Sequence, residues 1–383
     1  MAMIIFLSIV TTIYVLVNFN IYRHTRIVFQ PNEFFSLVLK VLLILLILSY
    51  PLGRVLERLA PSIFSDVLVK TGSIWLGAML YLTLMFFAQD IIRLFFWISG
   101  NSTLFSPATK LILFQRISIG IYVTTAILLI GGYINALYPA VNHVDIKINK
   151  KIDYASSLKV GAASDIHLGT VISNGRLERF VTMMNDQKPD IILLAGDIFD
   201  EDLEPVIKRD MGKLLSKLHA PLGVYAVTGN HEFIGGVVPA VEYLEKHGIT
   251  VVRDSVVTPN GVLNIVGRED RQSKMMAGFS RKSLAEIVQN VDMSKPTILL
   301  DHQPYNLHEA EENGIDLQIS GHTHHGQVWP FNFITKAIFE VSRGYKMKGN
   351  SHFYVSTGFG TWGPPIRIGN RPEIVVFDIS FAN

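Results

Sequence analysis

Two hydrophobic patterns divide the chain. Up to about residue 140, apolar side chains run on almost without interruption; beyond it, short apolar runs alternate with stretches whose apolar positions recur every three or four residues. The first pattern holds four apolar stretches, Met3 to Ile21, Phe34 to Leu52, Val67 to Ala88 and Leu111 to Leu137. Each has the ~20 residues that a helix needs to cross a bilayer. Lys40, Lys70 and Arg116 lie near the ends of their stretches, where long cationic side chains reach the headgroups. The first stretch reads as an anchor and not as a cleaved leader, because no basic segment precedes it and further spans follow. Between the third and fourth spans, Ile91 to Leu104 carries Phe95, Phe96 and Trp97. That segment fits an interfacial stretch and an extension of the third helix equally well.

The second pattern predicts an α/β domain. Leu158 to Ala163, Ile191 to Leu194, Val224 to Val227, Leu263 to Val266, Thr297 to Leu300 and Leu317 to Ile319 are strand candidates. Between them, Leu177, Phe180, Val181 and Met184 share one helical face, as do Met211, Leu214, Leu215 and Leu218, and Val241, Leu244 and Glu245 ahead of the Gly248 stop. The expected organisation is a transmembrane region over residues 1–140, a linker over 141–154 and the α/β domain over 155–383. In open α/β sheets, ligands collect where loops converge at the carboxyl ends of strands.

Composition sharpens both halves. Only 13 of the 66 Asp, Glu, Lys and Arg residues fall within the first 140 positions, as a lipid-facing segment requires. The absence of cysteine excludes disulfides, thiolate ligands and a cysteine nucleophile, leaving His, Asn and carboxylates for any transition-metal site. A net charge of +2 gives no extended basic surface, so no stable nucleic-acid complex is expected. Cations between the spans are nearly balanced: Arg23 and Arg26, Arg54 and Arg58, Arg93 and Lys110, then Lys147, Lys150 and Lys151. Because Arg23 and Arg26 follow a first span that no Lys or Arg precedes, an outside N-terminus is slightly favoured. Four spans then give an integral membrane protein, expected in the cell membrane, with its soluble domain on the extracytoplasmic side.

The chemistry sits at the strand ends. The last strand candidate runs into Gly321-His322-Thr323-His324-His325-Gly326-Gln327, and the others into Ser164-Asp165-Ile166-His167, Gly196-Asp197, Gly229-Asn230-His231-Glu232 and Asp301-His302. Each cluster alone has an ordinary reading. Asp-x-His is common at surfaces, Gly-Asp is a usual turn, and Asn with Glu suits a helix start. Their joint occurrence at five strand ends is what ordinary readings do not supply.

In this order, Asp165-x-His167, Gly196-Asp197, Gly229-Asn230-His231-Glu232, His302 and Gly321-His322-Thr323-His324 resemble the calcineurin-like metallophosphoesterase superfamily, over residues 155 to 380. The segment Gly360 to Arg367 resembles the tail of a membrane-associated, largely bacterial branch that includes proteins similar to UDP-2,3-diacylglucosamine hydrolases. The resemblance implies a two-sheet α/β sandwich and two divalent ions, Mn, Fe or Zn. Asp165, His167, Asp197 and His324 would hold one ion, and Asp197, Asn230, His302 and His322 the other. Such a pair, ~3.5–4 Å apart, clamps a phosphate ester and holds a bridging hydroxide in line for attack. His231 would act off the metals, stabilising charge or protonating the leaving oxygen. His325 is expected to face away from the ligand set. Asp301, Glu232 and Asp200 are candidates to fix imidazole tautomers, and Arg268 and Arg367 to contact substrate phosphate. No tyrosine stands where purple acid phosphatases place their metal-bound one, so a charge-transfer ferric site is not implied.

The expected function is therefore hydrolysis of a phosphoester or pyrophosphate bond at a membrane. A lipid-linked substrate of the UDP-diacylglucosamine type is one alternative. A non-catalytic scaffold is another, although scaffolds typically lose ligands and every motif ligand is present here.

Overall fold

The computed structural model describes residues 2–29, 33–100, 104–152 and 156–382, and its contacts divide the chain into two units, Met1–Tyr133 with Gly363–Pro365, and Ile134–Trp362 with Ile366–Asn383. The first unit is helical: α1 (Ala2–Phe29), α2 (Glu33–Leu59), α3 (Ile63–Ile98) and α4 (Pro107–Leu137), whose last turn belongs to the second unit. Among the described residues, α2, α3 and α4 are long and apolar enough to cross a membrane. The four expected spans thus fall in four helices, of which three meet that standard.

The helices outrun the apolar stretches. Arg23, Arg26, Arg54, Arg58, Arg93 and Lys110, expected in loops, lie inside helices, and α3 continues through Phe95, Phe96 and Trp97 to Ile98. The extension reading therefore holds for residues 91–98; residues 101–103 lie outside the described ones. Polar side chains inside the unit pair with one another, as a low-dielectric interior demands. Trp75 Nε1 donates to Asn18 Oδ1 at 3.1 Å, and Gln89 Nε2 to Ser118 Oγ at 3.3 Å.

Among the described residues, the second unit is built on twelve strands: β1 (Ala140–Ile148), β2 (Ser157–Ala163), β3 (Ile191–Ala195), β4 (Val224–Val227), β5 (Thr250–Val251), β6 (Ser255–Val257), β7 (Asn264–Gly267), β8 (Thr297–Leu300), β9 (Leu317–Ser320), β10 (Gly344–Lys348), β11 (Ser351–Val355) and β12 (Glu373–Phe381). They form two six-stranded sheets, ordered β1-β12-β2-β3-β4-β5 and β10-β11-β9-β8-β7-β6. Both are mixed: β2 to β5 run parallel, as do β7, β8, β9 and β11, while β12 is antiparallel to β2, and β6 and β10 are antiparallel edges. The segment expected as a linker is largely β1, which pairs in parallel with β12 from Ala140↔Glu373 to Ile148↔Phe381.

The six expected strands are β2, β3, β4, β7, β8 and β9. They read as continuous apolar runs because both of their faces are covered. Leu158, Val160, Leu193, Ile265, Ile298, Leu317, Ile319 and Phe377 form the layer between the sheets. On the outer face of the first sheet, Leu177, Phe180, Val181 and Met184 of the helix Asn174–Asp186 pack over Ile192 and Leu194, as their spacing predicts. The helix expected around Met211 to Leu218 shortens to Gly212–Leu215, although Met211, Leu215 and Leu218 remain buried.

Candidate metal centre

The loops that leave the carboxyl ends of β2, β3, β4, β8 and β9 converge. After β2 come Asp165 and His167, after β3 Asp197, and after β4 Asn230 and His231 at the start of the helix Asn230–Gly235; His302 follows β8, and His322 and His324 follow β9. Asp165, His167 and His324 form one group whose potential ligand atoms lie within 4.8 Å of one another; Asp197, His302 and His322 form a second. Within the first, the Nε2 atoms of His167 and His324 are 2.9 Å apart, and His324 Nε2 lies 3.4 Å from Asp165. Within the second, His302 Nε2 is 3.1 Å from Asp197, and His322 Nδ1 is 2.8 Å from the Asn230 side-chain oxygen. A third group joins His167 to Asp200 and His231.

The backbone is held in a sparsely populated conformation to achieve this. Asp165, His167 and Asp197 all have φ of 51°, with His322 at 67° and His324 at 44°. Such conformations cost about 1–3 kcal/mol each and persist where the surroundings over-determine them. Here the loops lock one another: Asp165 N donates to Gly196 O at 3.0 Å, His167 N to Asp197 O at 3.1 Å, and Gly321 N to His302 O at 2.9 Å. Two motif glycines follow from the same crowding. A Cβ on Gly229 would strike the Asp197 carboxylate, and one on Gly321 the Asp165 carboxylate. Gly321→Ala is accordingly expected to lower the metal content of a protein whose circular dichroism is unchanged; full metal content at unchanged affinity would contradict this packing.

Charge and tautomer suit a divalent ion. Burial pushes Asp165 up to about 6, an effect that His302 partly offsets. Burial acts the same way on Asp197, but the neighbouring His302 and His231 imidazoles outweigh it and hold this carboxylate well below its usual range. Burial also keeps His167 and His324 well below the usual imidazole value and His322 down at about 4, so these rings offer neutral nitrogen lone pairs at pH 7. His302 goes the other way: burial would lower it, yet Asp197 raises it well above the ordinary value. Its Nδ1 donates to the Ala195 carbonyl at 2.8 Å, which leaves the buried Nε2 facing the Asp197 carboxylate at 3.1 Å. A cation held by Asp197 and His302 displaces the proton they share, so the donor set fits.

The charged neighbours differ from expectation. Asp301 meets Arg268 at 3.1 Å and Arg281 at 2.9 Å and does not orient His302. Glu232 accepts from the backbone N–H groups of Asp197, Phe199 and Gly229 at 3.0, 3.0 and 2.7 Å, which shapes the β3 turn and not an imidazole. Asp200 alone lies beside rings, 3.6 Å from His231 Nδ1 and 3.9 Å from His167 Nδ1. Neither arginine is open to a substrate. Arg268 is buried between Asp301 and Glu309.

Arg367, 1% exposed, donates to His324 Nδ1 at 2.9 Å and to the carbonyl oxygens of Gly360 and His324 at 2.6 and 3.3 Å. Burial lowers this guanidinium to about 9. Asn370, which the sequence motifs did not single out, donates to His324 O at 3.0 Å, and Ser164 donates to Asp165. His325 is buried and stands apart from the three groups, its Nδ1 3.1 Å from Ser342 Oγ. Arg367→Met should therefore release the His324 loop. Each buried acceptor left without a donor costs about 1–3 kcal/mol, so metal affinity at the Asp165–His167–His324 group should fall, with little change at the other. Wild-type metal binding in this variant would remove Arg367 from that role.

Comparison with known proteins agrees with the geometry. Residues 158–326 match the family model described as calcineurin-like phosphoesterase. An uncharacterised metallophosphoesterase of Aquifex aeolicus is 35% identical over 232 residues, covering 60% of this chain and 88% of its own length. One from Campylobacter jejuni is 29% identical over 389 residues, 99% of each chain. A transmembrane protein with metallophosphoesterase domain from Danio rerio is 30% identical over 264 residues, 66% of this chain and 60% of its own.

Proposed function

This chain belongs to the calcineurin-like phosphoesterase family and is a metal-dependent phosphohydrolase, and we propose that its apolar helices hold it in a membrane and that it cleaves a phosphoester or pyrophosphate bond at a dinuclear centre. Asp165, His167, Asp197 and His324 hold one ion in this reading, and Asp197, Asn230, His302 and His322 the other. The observation that carries it is the pair of adjacent ligand groups which, with Asn230 beside His322, are assembled from five strand ends. When bound, the ions, drawn from Mn, Fe or Zn, neutralise the phosphate oxygens and supply an activated water. Neutral Asn230 and the imidazoles keep the pocket from repelling an anionic substrate.

His231 does the remaining chemistry. Its backbone N–H donates to Asp197 at 2.9 Å, and its ring stands edge-on to His167 at 4.6 Å and to Trp362 at 6.2 Å. That placement holds the imidazole beside the ligand groups, where it stabilises charge on the phosphate or delivers a proton to the leaving oxygen.

The substrate we propose is a lipid-linked phosphate, with the catalytic unit on the extracytoplasmic face of the cell membrane; a nucleotide pyrophosphate of the UDP-2,3-diacylglucosamine type is one member of that class. Chain connectivity supports it. Helix α4 ends at Leu137 and β1 begins at Ala140, level with Glu373 of β12, while Val375 of β12 pairs with Ala162 at the site end of β2. The chain therefore enters the catalytic unit at the edge where the ligand loops converge. Full-length protein in lipid vesicles should hydrolyse lipid-linked phosphates faster than a soluble aryl phosphate. Much faster turnover of soluble cyclic nucleotides or nucleotide esters than of any lipid would contradict the substrate assignment and leave the helices a role in placement alone.

A further inference from the structure

Just after the histidine loop, the chain exposes apolar side chains in succession. Phe331 is 40% exposed, Phe333 59%, Ile334 53% and Ile338 55%, and the helix Asn332–Ile338 buries none of its residues. A surface helix of a soluble domain normally turns such side chains inward, and contiguous apolar surface marks a contact with something other than water. The surroundings are basic. Between Trp329 and Lys348 stand Lys336, Arg343, Lys346 and Lys348 against the single acid Glu340. Lys346 and Lys348 meet Glu340 at 2.9 and 3.6 Å, and aromatic and aliphatic residues interspersed with cations make the composition of a segment that lies in a headgroup layer and meets lipid phosphates.

The position of the patch points the same way. Trp329 N donates to Ile368 O at 2.8 Å, and Val328 bridges Ile368. The neighbouring residues grip the last turn of α4: Asn135 Nδ2 donates to the carbonyls of Arg367 and Asn370 at 2.9 and 2.7 Å, and Arg371 Nε to Tyr138 O at 2.6 Å. The patch therefore starts a few residues from the point where the chain leaves a membrane-length helix.

We propose that Phe331, Phe333, Ile334 and Ile338 lie in the interface of the bilayer that α2, α3 and α4 cross, with Lys336 and Arg343 against anionic headgroups. The histidine loop, continuous with this helix through Gly326 and Phe331, is thereby held at the lipid surface. The inference rests on the membrane reading of the helices and needs no catalytic activity, so it stands or falls separately from the proposed reaction.

The cysteine-free chain allows a direct test by single nitroxide labels at Ile334→Cys and, as a second site, Phe333→Cys. Each full-length variant is reconstituted into phosphatidylcholine–phosphatidylglycerol vesicles, with metal content and circular dichroism checked against the unlabelled protein. Power saturation should show both labels colliding more with oxygen than with a water-soluble nickel chelate. A label at Asn290→Cys, on an exposed turn ahead of β8, should show the reverse order. Nickel accessibility at 333 and 334 equal to that at 290 would overturn the proposal. Spin–spin broadening between labels at 334 that persists in detergent would also overturn it, by assigning the face to a second copy of the chain.

Discussion

Replacing His231 with alanine or glutamine is expected to lower kcat roughly 10²–10⁴-fold while metal content and fold remain those of the wild type, the range for loss of a general acid. The reason lies in what the residue touches. Its backbone is fixed by Asp197 at 2.9 Å, but its ring is flanked by His167, Trp362 and Asp200 and lies outside the two ligand groups assigned to the ions. An aryl phosphate with a good leaving group separates its two roles. Such a leaving group needs no proton, so the defect should shrink on that substrate if His231 is the acid. Equal loss on good and poor leaving groups would instead assign it charge stabilisation, and no loss on either would make it structural.

Asp197→Asn should have the widest effect of any single change. The Asp197 carboxylate is buried beside His302 at 3.1 Å and also receives the His231 N–H. An amide can keep that last hydrogen bond through its oxygen but cannot bridge two cations as an anion does. Both metal equivalents should weaken together, and turnover should fall to background. His324→Ala, which removes a donor from the Asp165–His167 group alone, should weaken mainly one equivalent. Loss of a single equivalent from Asp197→Asn, or of both from His324→Ala, would mean that the sharing is assigned to the wrong residue.

The strands that build the site were legible because they are sandwiched. Ile191 to Leu194 and Ile298 to Leu300 are buried on both faces, and a run with no polar position is the sequence signature of that environment. The ligand motifs were legible because each follows such a run directly. Edge strands were not. In β1, Asn142, His143, Asp145 and Lys147 are exposed, so a paired strand reads as a polar linker. In β10 the exposed positions Tyr345 and Met347 alternate with Lys346 and Lys348, giving no buried stripe to detect. β12 carries the same continuous apolar run as the inner strands, Ile374 to Phe377, but no ligand motif follows it.

Charged residues were the hardest to read, since a charge acquires its role from a partner distant in sequence. Arg367 lies 43 positions from the His324 ring it supports. Asp301, adjacent to a candidate ligand, is taken up by Arg268 and Arg281. The cations assumed to sit in short loops between spans turned out to belong to helical ends, because a helix that crosses a membrane continues past its apolar core into the headgroup region.

Elemental analysis of the full-length protein, purified without chelators and offered Mn, Fe or Zn, tests the central claim most directly. Two adjacent ligand groups, with Asp197 serving both in the proposed reading, predict two metal ions per chain, both reduced in Asp197→Asn. Wild-type protein that is folded yet holds no stoichiometric metal under these conditions would contradict it.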